Sequence, residues 1–343
     1  MKKVIILSIV FSIILSCINT VAAAQDTTGN RGIGIYVDGE RLELQQNPII
    51  VKGRTLVPVR AVSEKFEANV QWYPVSTSIK ISTPGTMISM RLGSNRVYVD
   101  SVLKKLDVAP RLVNGITMVP VRFIAEAMNS QVTWDPTNGA VNIISNKKEP
   151  PVSRGDEDRR FKVVIDAGHG GKEVGANYFG VYEKDLNLQI SKTLEEMLRA
   201  EGIKTYMTRT GDSTLGLYER AELANGVDAD VLVSVHNNAG SSRTTGTMTL
   251  YYPGDTNSNG NLTARRFAEI VQNELTSTLG SGRLGVIQRP NLAVLRNANM
   301  PAVIAEVGYM SNRAELAKLN TQEYRNKAAE ALKNAVLKAM KAM

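Results

Sequence analysis

The feature that most constrains the fold of this chain is a pattern that occurs twice between residues 33 and 145. Tyr36-Val37-Asp38 recurs 62 residues later as Tyr98-Val99-Asp100, and Val57-Pro58-Val59-Arg60 recurs as Val119-Pro120-Val121-Arg122. Identities at the same offset also join Pro48 to Pro110, Gly53 to Gly115, Glu64 to Glu126, Val70 to Val132, Trp72 to Trp134 and Pro74 to Pro136. So many matches at one offset indicate a duplicated supersecondary unit.

Each copy of the repeat is predicted to form strands around one short helix. Residues 35–37 and 42–44 flank Asp38-Gly39, which is a strong signal for a tight hairpin turn. Residues 61–66 are predicted to be helical, and residues 70–73 and 79–81 alternate like half-buried strands. We expect Trp72 and Trp134 to anchor the cores of their copies, with stacking against a ligand as the alternative.

The residues of the duplicated unit are similar to a known family. Residues 53–60 and their partners at 115–122 resemble the stalk domain named after the N-termini of copper amine oxidases. The resemblance covers residues 33–145 and implies a spacer or wall-associated module of unassigned ligand. It does not imply copper, because this segment contains neither histidine nor cysteine.

The first 24 residues have the organisation of a signal peptide. Lys2-Lys3 supplies a positive start, residues 4–15 are apolar apart from two serines, and Ala22-Ala23-Ala24 suits a signal peptidase. We expect cleavage before Gln25 and a secreted or wall-associated bacterial protein without a stable membrane span. A retained anchor is disfavoured, because the apolar stretch is shorter than the roughly 20 residues that cross a bilayer. Lipid attachment at Cys17 is the remaining alternative, because residues 14–17 loosely resemble a lipobox.

The mature chain would offer few kinds of metal ligand. Cys17 is the only cysteine, so removal of the signal peptide excludes disulfides and thiolate metal sites. Loss of Lys2 and Lys3 also lowers the formal net charge from +8 to +6. This basic balance suits an anionic surrounding such as a bacterial wall, although an ordinary charged surface explains it equally well. Any metal must therefore be held by histidine, aspartate or glutamate.

A change of composition predicts a linker over residues 146–160. Two prolines and a mixed run of charges cannot bury apolar surface there. Over residues 161–343, apolar strand patterns alternate with helical ones, which predicts an α/β domain with a mixed sheet flanked by helices. The duplicated unit before the linker, residues 33–145, is predicted to be mostly β, of the β-rich α+β kind.

Three predicted strands of the second domain each lead to a residue that can bind a metal or move a proton. Residues 163–165 lead into Asp166-Ala167-Gly168-His169-Gly170-Gly171, residues 231–235 into His236, and residues 302–305 into Glu306. Ligand sites of open α/β sheets lie beyond the carboxyl ends of the strands. We therefore expect the only two histidines of the chain and Glu306 to meet at one edge of the sheet.

Glu183 is the best candidate for a third metal ligand. It precedes a predicted helix with Leu186, Ile190, Leu194 and Leu198 on one face. Two histidines and one glutamate, with water in the fourth position, form an established catalytic zinc site, in which the metal lowers the pKa of that water to roughly 7. The alternatives are a glutamate that stabilises a helix N-terminus, a glycine-rich phosphate loop, and a surface position for Glu306.

A series of motifs in the second domain resembles one enzyme family. The motifs are residues 166–171, Glu183, Thr208-Arg209 with Asp212, Arg220 with Ala224-Asn225, and residues 234–238, 294–296 and 300–312. In this order they resemble the zinc-dependent N-acetylmuramoyl-L-alanine amidases of the amidase_3 class, over residues 161–343. The resemblance implies Zn²⁺ bound by His169, Glu183 and His236, with Glu306 as the catalytic base and acid. Asn238 and Arg296 match as well, and we expect a supporting role for both.

The resemblance also implies the reaction and the partners. The expected reaction is hydrolysis of the amide between the lactyl group of N-acetylmuramic acid and L-alanine in peptidoglycan. As partners we expect peptidoglycan and, alternatively, anionic wall polymers, but no nucleic acid. The alternatives to an amidase are a non-catalytic wall-binding protein and a different zinc peptidase that cuts stem peptides.

Two predictions concern the rest of this domain. Some relatives insert a long autoinhibitory helix between the second zinc histidine and the catalytic glutamate. Here the interval of 70 residues from His236 to Glu306 is accounted for by a strand at 248–252, a helix near 263–279 and the approach to the last strand, so no such plug is predicted. Residues 324–343 are expected to form a closing amphipathic helix packed on the sheet, with a membrane-surface helix as the alternative.

Overall fold

A computed structural model describes residues 32–146, 160–254 and 258–343 of the chain. The predicted signal peptide, including Cys17, and residues 147–159 of the predicted linker lie outside the described residues. Within the three described ranges, no helix has the length and apolar character that crossing a membrane requires. The limits of the signal peptide, the linker and the two domains stay predictions.

The N-terminal half forms three small sheets and two short helices within residues 34–145. The sheets have the strand orders β12-β13-β1-β2, β10-β11-β4-β3 and β5-β6-β7-β8-β9. The elements are β1 Gly34–Val37, β2 Glu40–Arg41, β3 Ile49–Val51, β4 Arg54–Pro58, α1 Val59–Glu64, β5 Asn69–Tyr73, β6 Ser78–Ser82, β7 Met87–Arg91, β8 Arg96–Val99, β9 Val102–Lys105, β10 Arg111–Val113, β11 Ile116–Pro120, α2 Val121–Ala127, β12 Ser130–Asp135 and β13 Ala140–Ser145. The β-rich fold predicted for this half is therefore confirmed.

The two sequence copies adopt equivalent local structures. In the first hairpin Asp38 and Gly39 have φ angles of 51° and 83°, and in the second Asp100 and Ser101 have φ angles of 49° and 68°. Two consecutive positive φ angles are typical of the tight turn that the Asp-Gly pair predicted. Both copies share one main hydrophobic core, because most of their buried apolar side chains belong to a single cluster. Leu56, Val108 and Met118 form a second, smaller cluster.

The expectation that the two tryptophans anchor this core is wrong. Trp72 is 42% exposed and Trp134 is 46% exposed. Each lies across a strand pair from a buried residue, Ile79 in the first copy and Val141 in the second. However, each tryptophan is the second-to-last residue of its strand, at the margin of the core. Their indoles are too large to be covered there.

The C-terminal half is built on a six-stranded sheet with the order β17-β14-β18-β23-β19-β22. Strands β17, β14, β18 and β23 are parallel, whereas β19 runs antiparallel to β23. The elements are β14 Lys162–Ala167, β15 Asn177–Tyr178, β16 Val181–Tyr182, α3 Glu183–Ala200, β17 Lys204–Met207, α4 Leu217–Gly226, β18 Val231–Asn238, β19 Thr247–Tyr251, β20 Ser258–Asn259, β21 Leu262–Thr263, α5 Ala264–Leu279, β22 Arg283–Gln288, α6 Ala293–Arg296, β23 Ala302–Tyr309, α7 Arg313–Leu319 and α8 Gln322–Lys341. The predicted α/β domain with a mixed sheet is confirmed.

Helices cover both faces of this sheet. One hydrophobic cluster joins the sheet to α3, α5 and α8, and a second joins the opposite face to α4 and α6. The predicted closing helix is present as α8, but its buried face, which is rich in alanine, lies against α3 and α5, where packing on the sheet was expected. Helix α5 is the only long helix among the described residues between His236 and Glu306. It buries Phe267, Val271 and Leu275 in the core, as expected for a domain without a plug.

The two halves contact each other through α4. Arg91 and Arg96 of the N-terminal half pair with Glu222 of this helix, and Arg96 also lies 3.5 Å from Glu219. The ring of Tyr98 lies so close to Gly226 that a Cβ atom there would come within 2.2 Å of it. Helix α4 is thus packed between the stalk domain and one face of the catalytic sheet.

Candidate metal centre

Three separate elements position the candidate metal ligands. His169 lies in the loop that follows β14, Glu183 is the first residue of α3, and His236 lies near the end of β18. The loop bends sharply at His169, whose φ is 59°, and continues through Gly170 at 127°. A side chain at Gly168 would come within 2.3 Å of the His236 ring, so glycine at 168 allows the second histidine to reach the loop.

The structure brings His169, Glu183 and His236 together, as the sequence predicted. One ligand atom from each lies within 4.8 Å of the others. His169 Nε2 is 3.1 Å from Glu183 Oε2, and His236 Nδ1 is 2.9 Å from Glu183 Oε1. The imidazole rings are 4.9 Å apart and nearly perpendicular. Two imidazole nitrogens and a carboxylate at this separation fit the donor set of a zinc ion with an open fourth position.

Glu183 is held in its charged form by its surroundings. Burial alone raises the pKa of Glu183, but hydrogen bonds and charge from the two histidines hold that pKa well below its usual range. Its carboxylate also accepts hydrogen bonds from the backbone N–H groups of Ala176 and Asn237, at 2.9 and 3.2 Å, and from Asn187 Nδ2. The carboxylate is therefore oriented and ionised, as a metal ligand must be.

Glu306 lies beside His236 on the neighbouring strand. The sequence placed it just after a strand, but β23 continues through Glu306 to Tyr309, and Glu306 is paired in register with His236. The strand extends because β18 and β19 pair with it on both sides. Glu306 Oε2 is buried without a hydrogen-bond partner among the described residues. Burial raises the pKa of Glu306 to about 7, and the charge of Glu183 adds to this shift.

A buried ion pair supports the loop that carries His169. Asp166 accepts hydrogen bonds from Arg220 Nη1 at 2.6 Å, Thr208 Oγ1 at 2.7 Å and Ser234 Oγ at 2.5 Å. Burial opposes ionisation of Asp166, but the charge of Arg220 keeps the pKa of Asp166 below its usual value. Arg220 Nη2 also donates to the carbonyl of His169 at 2.9 Å. These residues fix the backbone beneath the metal ligand.

The sequence motifs contain the residues of this supporting network, but the sequence did not indicate what these residues do. Asp166, Thr208, Arg220 and Ser234 all belong to the motifs that resemble the amidases. A charged residue at the end of an apolar strand indicates a buried partner. The identity of that partner could not be read from spacing, because Arg220 lies 54 positions away in the chain.

The two residues expected to have supporting roles, Asn238 and Arg296, lie in different parts of the structure. Asn238 ends β18, where its side-chain oxygen accepts from Ala239 N and its carbonyl accepts from Met310 N. It thus orders the chain at the end of the strand that carries His236. Arg296 ends α6 and lines a small cleft with Tyr73 and Ser76 at the boundary between the two halves. A role for either residue in the reaction stays a prediction.

Comparison with known families matches both halves of the chain. The sequence profile of the N-acetylmuramoyl-L-alanine amidases matches residues 163–338, and that of the copper amine oxidase N-terminal domain matches residues 36–143. The chain is 37% identical over 174 residues to the uncharacterized protein YqiI of Bacillus subtilis, covering 51% of this chain and 82% of that protein. It is 32% identical over 180 residues to the N-acetylmuramoyl-L-alanine amidase CwlM of Bacillus licheniformis, covering 52% of this chain and 68% of CwlM.

A longer relative is matched only in part. The chain is 33% identical over 170 residues to the N-acetylmuramoyl-L-alanine amidase LytC of Bacillus subtilis, which is 50% of this chain but only 34% of LytC. Among solved structures, an N-acetylmuramoyl-L-alanine amidase from Clostridium difficile 630 is similar with a TM-score of 0.50 and 36% identity, covering 53% of this chain and 97% of that one. Each of these similarities covers about half of the chain.

Proposed function

This chain belongs to the N-acetylmuramoyl-L-alanine amidase family, and from that premise we propose that it is a zinc-dependent peptidoglycan hydrolase. The bond cleaved is the amide between the lactyl group of N-acetylmuramic acid and L-alanine of the stem peptide. The observation that carries the proposal is the cluster of His169, Glu183 and His236 beside Glu306, whose Oε2 is buried without a hydrogen-bond partner among the described residues. Pure wall binding does not require this set of residues.

In this proposal the three clustered residues hold the zinc ion and Glu306 moves protons. When bound, zinc supplies a Lewis acid that polarises the amide carbonyl and makes a water molecule more acidic. Glu183 and the two histidines would hold the cation, and one of them, His236, is paired in register with Glu306. Arg220 donates a hydrogen bond to the carbonyl of His169, and Asn187 donates one to the carboxylate of Glu183. These contacts orient two of the three ligands.

Glu306 is suited to act first as a base and then as an acid. It accepts a proton from the attacking water as the water oxygen forms a bond to the amide carbon. It then donates that proton to the leaving nitrogen as the C–N bond breaks, which releases a lactyl carboxylate and the free amine of L-alanine. A catalytic group is most effective when its pKa lies near the working pH. Burial moves the pKa of Glu306 into that range, and a neighbouring cation favours its ionised form.

The test of these roles compares Glu306→Gln with His236→Ala. We expect Glu306→Gln to keep bound zinc but to lose turnover by about 10²–10⁴-fold, the usual contribution of a general acid–base. We expect His236→Ala to lose both zinc and turnover, because it removes one of three ligands. The measurements are metal content by atomic absorption and the rate of peptidoglycan solubilisation.

A matched control is available for this comparison. Glu269→Gln makes the same chemical change on the exposed part of α5, where Glu269 pairs with Arg265. It is expected to leave zinc content and turnover unchanged. Full activity of Glu306→Gln would show that Glu306 does not handle protons, and stoichiometric zinc in His236→Ala would show that the ligand set is wrong.

We also propose that the enzyme acts outside the cell. The expected cleavage before Gln25 would release a chain in which a stalk domain (residues 33–145) precedes a linker (146–160) and the catalytic domain (161–343). One relative of this chain, 33% identical over 173 residues, is the probable cell wall amidase LytH of Staphylococcus aureus. N-terminal sequencing of the exported protein tests the proposal, since lipidation at Cys17 would leave a different first residue.

A further inference from the structure

The stalk domain contains a groove that the catalytic reaction does not use. Its volume is about 720 Å³, within the range of roughly 300–1,000 Å³ that is typical of ligand sites. We call it the stalk groove, and its lining includes Arg41, Arg60, Ala61, Trp72, Gly115 and Ile116. Residues of both sequence copies thus form its walls.

The exposed indole of Trp72 forms part of the apolar surface of the stalk groove. Trp72 extends past the buried core residue Val70 on the same side of β5 and faces open space beside Pro58 and Ala61. Flat aromatic faces favour the C–H-bearing faces of sugar rings, while the rim of the groove can bind their hydroxyl groups.

The charges of the stalk groove are mixed, and Arg41 is available for a ligand. Arg60 lies 3.5 Å from Glu64, and Lys65 lies 3.2 Å from Glu40. Arg41 forms no ion pair within the described residues. Glu43 and Glu64 also line the groove, so a polyanion such as a phosphate-linked wall polymer would be repelled along part of its length. A ligand with one carboxylate beside an uncharged sugar ring suits these mixed charges better than a polyanion does.

The second copy of the repeat shows what makes the stalk groove specific. The position of Ala61 is occupied there by Phe123, which packs against the core. The position of Arg41 is occupied by Leu103, and each pairs with the equivalent tyrosine, Tyr36 or Tyr98. The second copy therefore keeps its exposed tryptophan, but it carries Phe123 and Leu103 where the stalk groove has Ala61 and Arg41.

We propose that the stalk groove binds a peptidoglycan strand, with a sugar ring against Trp72 and a carboxylate of the strand paired with Arg41. This is a second contact with the wall polymer, separate from the metal centre in the other half of the chain. The choice of peptidoglycan among carboxylated glycans rests on the proposed function of the catalytic half. The groove would hold the enzyme on the wall between cleavage events.

The experiment measures binding of the full chain to insoluble, teichoic-acid-free peptidoglycan by co-sedimentation. All proteins carry Glu306→Gln so that the polymer stays intact. We expect Trp72→Ala, Arg41→Leu and Ala61→Phe each to weaken binding by about tenfold, the usual effect of truncating or blocking a binding hot spot. The matched control is Trp134→Ala, which removes an equally exposed tryptophan and is expected to change binding less than about twofold.

Several outcomes would overturn the inference. Equal binding of Trp72→Ala and the parent protein would remove the groove from the wall contact. An equal loss in Trp134→Ala would show a general aromatic effect instead of a site. Binding that appears only when teichoic acid is left on the wall would assign the groove to that polymer. Thermal melting of each variant identifies one that fails to fold, and Arg41→Leu, an exposed substitution that copies the second repeat, then decides the result.

Failure of the inference is distinguishable from failure of the proposed function. In proteins that keep Glu306, Trp72→Ala is expected to hydrolyse a small soluble muropeptide at the parent rate, because Trp72 is in the stalk domain. Loss of binding in Trp72→Ala with no amide product from the parent would contradict only the catalytic proposal. If the parent is active and Trp72→Ala binds peptidoglycan as well as the parent does, only the proposed role of the stalk groove is contradicted.

Discussion

At the scale of single residues, the centre combines a glutamate that stays ionised with one whose pKa is raised to about 7. Glu183 and Glu306 lie near the same histidines, yet their pKa values move in opposite directions. Glu183 accepts hydrogen bonds from the protein, whereas Oε2 of Glu306 has no partner among the described residues. Two acids whose environments separate their pKa values are suited to two roles, here ligand and proton carrier.

This difference predicts how the zinc-free protein responds to pH. The pKa of Glu306 is raised from 4.5 to about 7, so its stabilising contribution is full below pH 4.5 and is lost as pH rises through 7. We expect zinc-free Glu306→Gln to melt at the same temperature as the parent near pH 4.5. Above pH 7 the variant should have the higher melting temperature, and its free energy of unfolding should exceed that of the parent by at most about 3 kcal/mol.

Thermal melts of both proteins in chelator, at several pH values between 4.5 and 8, check this expectation. Identical pH dependence of the two proteins would mean that the pKa of Glu306 is unshifted by folding. The exposed variant Glu269→Gln again serves as the comparison, since its carboxylate lies in solvent.

Sequence reasoning found the four residues of the centre but not the network around them. His169, His236 and Glu306 were predictable because each follows an apolar strand pattern, and Glu183 because it precedes a helical one. The exposure of Trp72 was not predictable, because hydrophobic pattern tells which side of a strand a residue faces but not where the core ends. The open space beside Ala61 was not predictable either, because it depends on how the side chains pack.

At the scale of elements, the catalytic sheet delivers its residues through the register of neighbouring strands. β14, β18 and β23 are adjacent and parallel, so the ends that carry His169, His236 and Glu306 meet at one edge. Helix α4 stabilises this edge, because its Arg220 donates hydrogen bonds to both Asp166 and the carbonyl of His169. The loop after β14 thus depends on a helix that lies outside the centre.

Removal of Arg220 is expected to affect stability and metal binding together. Arg220→Ala leaves the buried charge of Asp166 unpaired, which typically costs about 3–5 kcal/mol of unfolding free energy. It also removes a donor to the His169 loop, so zinc affinity should fall by about 10–100-fold, as for other lost supporting contacts. The measurements are denaturant unfolding and zinc titration against a competing chelator.

An exposed arginine provides the control for this prediction. Arg265 pairs with Glu269 on the surface of α5, and Arg265→Ala should change stability by less than about 0.5 kcal/mol. Unchanged zinc affinity in a folded Arg220→Ala protein would show that the ion pair supports the fold alone.

At the scale of the whole molecule, the stalk and catalytic domains are joined by contacts as well as by sequence. Arg91 and Arg96 pair with Glu222, and Tyr98 packs against Gly226. The repeat predicted two equivalent copies, but only the second tyrosine, not its counterpart Tyr36, reaches the catalytic half. Contacts between distant segments of this kind carry no local sequence pattern, so neither the interface nor the position of Arg296 at its margin could be predicted.

The measurement that tests the central claim most directly is mass spectrometry of peptidoglycan fragments after digestion, with and without a chelator. The account predicts new free amino groups on L-alanine, intact disaccharides, and loss of these products when zinc is removed. New reducing sugar ends, or new termini between amino acids of the stem peptide, would contradict an amidase. Undiminished release of N-terminal L-alanine in a chelator-treated protein shown to be free of metal would contradict the zinc centre of His169, Glu183 and His236.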